Sequence, residues 1–238
     1  SVVMFFGYGL ATVAAIALPV VLVLLLVQVV TGLIAPRNAV IFAWILEIVA
    51  FAILWVGANL LSALLTFSAT MFYVVIYSVW LKRTSRQNIV IGGAAGAVPV
   101  LVGWSAVTNQ VSWAAFLLFL LIFLWTPPHF WALAIRHSDD YRAAGVPMLP
   151  VVSTMEETVR SMVIYSVILT VTSLVLVPVA NLGYIYGITA LLFGTLFILG
   201  SIRLGRDPSE PRSMRLFSFS ITYVSVLFMA VTVDVLVN

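Results

Sequence analysis

The chain has 238 residues, 63% of them hydrophobic and only 8% charged, and its mean hydropathy is +1.21. A water-soluble domain carries roughly a quarter of its residues as charges, so this composition belongs in a lipid bilayer. A net charge of only +3 and the absence of cysteine argue against a nucleic-acid partner and exclude disulfides, thiolate metal sites and cysteine nucleophiles.

Crossing a bilayer takes about 20 apolar residues. That ruler predicts about eight spans, near 3–30, 39–56, 59–80, 89–108, 113–134, 159–179, 183–201 and 216–236. The first reads as a span and not a signal peptide, because it has no basic n-region and its apolar run is too long. Pro36-Arg37-Asn38, Gly57-Ala58-Asn59, Thr108-Asn109-Gln110 and Asn181-Leu182-Gly183 are the polar or glycine-containing breaks. Neither a repeat nor a soluble domain is visible, and residues 1–238 read as one transmembrane domain. The expected fold is an all-α polytopic membrane bundle.

Basic residues occupy every other loop: Arg37; then Lys82, Arg83 and Arg86; then Arg136, Arg142 and Arg160; then Arg203, Arg206, Arg212 and Arg215. The loops between them are uncharged. Positive-inside bias turns the charged loops toward the cytoplasm of a bacterial plasma membrane or, as the second choice, toward a mitochondrial matrix. Mid-span positions are almost entirely aliphatic or Phe, unlike a transporter's midplane site. Any chemistry is therefore expected at the inner interface.

Three stretches on that face attract attention. Tyr73 and Tyr77 sit one helical turn apart before LKRTSRQNIVIGG, which holds the chain's only lysine, Lys82, with Arg83, Arg86 and Asn88. This reads either as an orientation signal joined to a small-residue helix contact, or as a diphosphate site built from a point charge and guanidinium forks. Next, in WTPPHFWALAIRHSDDY, two prolines break the hydrogen-bond ladder within a span, and His129 follows among Trp125, Phe130 and Trp131. His129 is either a packed, hydrogen-bonded core residue or, as an ionisable group beside a proline break inside a span, a functional one. Last, Asp139 and Asp140 are either solvated at the helix end or ligands to Mg²⁺, which favours one or two carboxylates together with substrate phosphate.

YSVWLKRTSRQNIVIGGAAGAVPVLVGWSAVT and WTPPHFWALAIRHSDDYRAAGVPMLPVV, together with the span pattern, resemble the protoheme farnesyltransferases, a branch of the membrane UbiA-type prenyltransferases. The likeness runs from about Thr31 to the C-terminus. It implies nine spans around a central cavity open to the inner side. The implied reaction adds the farnesyl group of farnesyl diphosphate to a haem B vinyl, with capture of water, to give haem O. It also implies Mg²⁺ as the cofactor, held by two acidic motifs of which Asp139 and Asp140 form part of the second. On the same resemblance Lys82 and Arg83 act on the diphosphate, with Asn88 and Arg86 in the same loop. Trp125, Phe130, Trp131, Tyr73 and Tyr77 are the candidate cavity walls, His129 a haem contact, and Arg136 and Tyr141 complete the substrate-binding set. The implied partners are the bilayer, haem A synthase and oxidase assembly proteins, without nucleic acid. Two other functions fit the sequence less fully: a UbiA-type transferase acting on an aromatic or quinone precursor, and a non-catalytic haem-handling assembly protein.

The sequence departs from the family at its first acidic motif, N-x-x-x-D-x-x-x-D. No aspartate precedes Asp139, and Glu47, the only upstream acid, lies inside a span. An even number of spans also conflicts with the family's nine. The expectation is that a span and the loop bearing that motif are absent at about 29–30, with a divergent inactive homologue as the other explanation.

Overall fold

The computed structural model describes residues 36–237, and every element within that range is helical. The predicted span at 3–30 and the junction at 29–30 lie outside the described residues. The other seven predicted spans are present as seven long apolar helices.

Helix α1 runs Pro36–Gly57, with a proline in its first turn, where the missing N–H is harmless. Helix α2 begins at Leu60 and continues to Thr84, and its Phe72–Leu81 stretch is wound as a π-helix. Asn59 caps α2 by accepting from the Ser62 N–H at 2.9 Å, while its own amide donates to the Ser105 carbonyl at 2.6 Å. Helix α3 spans Asn88–Thr108 and α4 spans Trp113–Arg136. Two short helices follow, α5 at Ser138–Ala143 and α6 at Leu149–Val152. Then come α7 at Met155–Ala180, α8 at Tyr184–Arg206 and α9 at Glu210–Val237.

The polar breaks work as helix caps. Asn109 and Asn181 end α3 and α7 in the left-handed region, with φ of 52° and 53°. Asparagine tolerates that conformation better than most residues with a Cβ. Ser112 and Thr154 start α4 and α7, their hydroxyls accepting from Ala115 and Glu157 N–H at 3.2 and 3.1 Å. Successive long helices consequently alternate in direction. The described basic residues gather at one end of the bundle, and the uncharged breaks gather at the other.

Packing divides the helices into two groups. Helices α4, α7, α8 and α9 form a closed quartet, each touching two others, and α3, α2 and α1 extend from α4 as a successive arm. The nine-span ring expected from the resemblance is thus represented, among the described residues, by a quartet and an arm. Hydroxyl contacts tie the quartet together: Ser166 to Ser201 at 3.2 Å along the α7–α8 seam, and Ser173 to Tyr223 at 2.8 Å across its interior between the diagonal helices α7 and α9. Small polar side chains of this type let helices approach in lipid, where apolar packing alone gives no preference for helix over acyl chain.

Asp234, one of the two acids outside the basic loops, has a structural role. It is 1% exposed, and its carboxylate accepts the Gly183 N–H and, at 3.1 Å, the Tyr186 N–H. The end of α9 thereby caps the first turn of α8 with a negative charge placed where the helix dipole favours it. Glu47 lies mid-helix in α1, near Thr70 of α2 and away from both ends of the bundle. Replacing Asp234 with Ala leaves two N–H groups without that acceptor and is expected to lower stability by about 1–3 kcal/mol, read as an earlier thermal unfolding transition in detergent.

Candidate active site

The stretch Lys82–Gly93 begins where the π-helical segment ends. Lys82 and Arg83 are exposed and, among the described residues, make no ion pair. Arg86 differs, because its guanidinium donates to Glu157 at the start of α7 at 2.9 Å. Asn88 turns inward: it is 1% exposed and its amide donates to the Lys82 carbonyl at 3.3 Å. That bond folds the loop back over the start of α3, so Asn88 positions the backbone that carries Lys82. Its buried Oδ1 has no hydrogen-bond partner.

The glycine pair sets how near the loop's neighbours come. A Cβ at Gly92 would collide with the ring of Tyr77, and one at Gly93 would lie 2.9 Å from the Thr126 methyl of α4. The small-residue contact expected from the sequence is therefore present, with one glycine facing α2 and the other α4. A Cβ at Gly96, the third member of that stretch, would meet nothing within 4 Å. Resting on Gly92, Tyr77 lies 5.1 Å from Tyr73 ring to ring, so the two stay neighbours despite the π-helical winding. Tyr73 is half-exposed, and the phenol of Tyr141 lies within electrostatic range of Tyr77. Tyr73 and Tyr77 of α2 thus face toward Tyr141 of α5.

Asp139 and Asp140 occupy consecutive positions of α5, and both are exposed. Consecutive helical residues point about 100° apart, and here the two carboxylates diverge. Asp139 accepts from Arg142 at 2.5 Å, and Asp140 meets His137 Nδ1 at 3.0 Å. Surface pairs of this kind contribute about 0–1 kcal/mol, so a stronger ligand displaces them readily. Among the described residues no ion pair joins these acids to Lys82 or Arg83, and no three His, Asp or Glu residues gather as a metal site. The donor set fits one side of a Mg²⁺ site that substrate oxygens complete, and it does not fit a closed protein cage.

Helix α4 passes through Pro127 and Pro128 without ending. Both prolines are buried, which satisfies the demand that a broken ladder in lipid be surrounded by protein. Helix α9 braces this turn. Trp125 Nε1 donates to the Ser220 carbonyl of α9 at 2.8 Å, and His129 Nδ1 lies 2.6 Å from the Ser220 hydroxyl. That hydroxyl also donates to the Phe217 carbonyl at 2.6 Å. Its single proton being used there, it accepts from His129, which places the imidazole proton on Nδ1 and the lone pair on Nε2. The imidazole is sandwiched between Trp125 at 4.1 Å and Phe217 at 4.5 Å, with Phe130 edge-on at 5.1 Å. His129 is thus a packed, hydrogen-bonded residue.

The remaining candidates separate. Trp131 is 1% exposed and packs edge-to-face on Tyr165 of α7, so it belongs to the quartet core. Arg136 pairs with Glu210 at 3.1 Å, linking the charged ends of α4 and α9. Sequence reasoning missed Glu157, Glu210 and Ser220, the partners that fix Arg86, Arg136 and His129. Their separations of 71, 74 and 91 residues leave no local signal.

The UbiA prenyltransferase family matches residues 26–230. Among curated proteins, the chain is 52% identical over 204 residues to a protoheme IX farnesyltransferase of Gloeobacter violaceus, covering 85% of this chain and 67% of that one. It is 47% identical over 210 residues to the protein of the same name from Pseudarthrobacter chlorophenolicus, covering 86% and 66%. With the Trichodesmium erythraeum protein, also so named, identity is 51% over 206 residues, covering 86% and 63%. The matched part of the chain thus spans about two thirds of these relatives' length. No solved structure matches. The match over most of its length shows that the chain belongs to the UbiA prenyltransferase family.

Proposed function

We propose that the protein to which this chain belongs transfers the farnesyl group of farnesyl diphosphate to a vinyl group of haem B, and that hydration of the adduct gives haem O. What supports this reading is that Lys82 and Arg83, which make no ion pair among the described residues, lie at the same end of the bundle as Asp139 and Asp140, with Tyr73 and Tyr77 on the segment leading into the basic loop. The relatives' name supports the substrates.

Lys82 and Arg83 bind the diphosphate oxygens through charge-assisted hydrogen bonds. Asp139 and Asp140 would hold Mg²⁺, which when bound supplies further neutralisation of the leaving group. As the allylic C–O bond breaks, its electron pair leaves with the diphosphate and a farnesyl cation remains. Cationic side chains fixed beside the departing oxygens lower that barrier because they need no reorganisation. The faces of Tyr73 and Tyr77 stabilise the cation and keep water from it. The vinyl π electrons form the new C–C bond, water adds to the resulting carbocation beside the porphyrin, and a proton is released. Family likeness extends the metal site to a first acidic motif, N-x-x-x-D-x-x-x-D, which this sequence does not contain.

Assayed in cells lacking their own haem O formation, with haems extracted and separated, the Asp139→Asn, Asp140→Asn double variant of the full-length protein is expected to abolish haem O while the protein stays folded in the membrane. Haem O at wild-type levels would refute the metal assignment. A prenylated phenol in place of haem O would redirect the substrate assignment. In membrane assays the Lys82→Gln, Arg83→Gln variant is expected to raise KM for farnesyl diphosphate by about tenfold or more, leaving that for haem B within about twofold. Arg86→Gln, whose side chain already holds Glu157, should change the same KM by less.

A further inference from the structure

Between the charged ends of α8 and α9 lies a cleft of about 590 Å³ lined by Arg203, Arg206, Arg212 and Arg215 over an apolar base that includes Leu204 and Leu216. Leu204 and Leu216 are 1% and 4% exposed, so the base is part of the helix seam. Arg212 is held by Asp207 at 3.0 Å and donates to the Arg203 carbonyl at 3.3 Å, fixing the loop between the helices. Arg203, Arg206 and Arg215 are exposed and make no ion pair among the described residues.

An orientation signal needs positive charge in the loop, but it does not need guanidinium groups from two helices to surround one cleft. Three unpaired arginines at the lipid-interface end of two spans match an anion that has fork-compatible oxygens and sits at headgroup depth. Leu196 and Gly200 of α8, with Phe219 of α9, continue the cleft along the membrane-spanning part of the helix pair, at the depth of the acyl chains. A free anion would use the arginines and leave this apolar strip unused.

We infer that this cleft is a binding site for an anionic phospholipid, with the headgroup phosphate on Arg203, Arg206 and Arg215 and an acyl chain along α8. The site goes beyond the transferase reading and does not depend on it, since none of its residues is assigned to farnesyl diphosphate or haem.

The test uses the purified full chain in mixed micelles, with phosphatidylglycerol and phosphatidylcholine compared by native mass spectrometry. The expected result is at least about a tenfold preference for phosphatidylglycerol, reduced to about twofold or less in Arg203→Gln, Arg206→Gln, Arg215→Gln. The absence of a preference in the unaltered protein, or its survival in the folded triple variant, would overturn the inference. Because the triple variant removes charge from an orienting loop, a photoactivatable phosphatidylglycerol is cross-linked to the unaltered protein in parallel. Cross-links are expected within residues 196–219, and cross-links only elsewhere would overturn the site. Displacement of that lipid by millimolar inorganic phosphate would reassign the cleft to free anions. Displacement by a porphyrin dicarboxylate would reassign it to haem. Either result overturns the lipid assignment, and retention of the lipid against both supports it.

Discussion

The structure depends on how α9 braces the proline turn of α4. Two successive prolines remove two N–H donors from a helix in a medium that offers no water in exchange. Left to itself, that turn would be the weakest part of the bundle. Instead Ser220 engages both sides of it, its carbonyl receiving Trp125 and its hydroxyl receiving His129. Helix α4 touches α3, α7 and α9, and it ends immediately before the segment that carries Asp139 and Asp140. Fixing the turn therefore fixes the direction in which the acidic segment leaves the bundle.

Much of this was legible in the sequence, because lipid imposes rules that act residue by residue. Hydropathy alone placed the seven described spans, since only a closed helical ladder satisfies backbone polar groups there. The Asn-containing breaks were readable as boundaries, and Asn59 proves to be a cap and Asn109 and Asn181 left-handed turns. The Gly92-Gly93 pair was readable as close packing, because a missing side chain has the same meaning in any context. Tyr73 and Tyr77 were readable as neighbours from their spacing, although the π winding beneath them was not.

What the sequence did not disclose depends on tertiary neighbours. Arg86 and Arg83 are equally basic in a string of letters, yet one is engaged by Glu157 and the other is not. Trp125 and Trp131 lie six positions apart on one helix, but the first is tied to α9 by its indole N–H and the second is sealed against Tyr165. Position on the helix face separates a candidate wall from a core residue, and that face is set by helices far away in the chain. Of the two roles the sequence offered for His129, the structure displays the packed, hydrogen-bonded one, through Ser220 and the rings of Trp125 and Phe217.

The π-helical stretch at Phe72–Leu81 has a consequence for how the chain tolerates change in length. Such a segment is what an α-helix becomes when it absorbs an additional residue without moving its ends. Shortening it by one residue would restore ordinary winding and change the rotational phase of everything above or below it. Tyr77 is held in place by Gly92, so the change of phase would fall on the following residues, Lys82 and Arg83. The length of this segment is thereby coupled to the direction in which the two cations point, and hydropathy, which a one-residue deletion hardly alters, would give no warning of it.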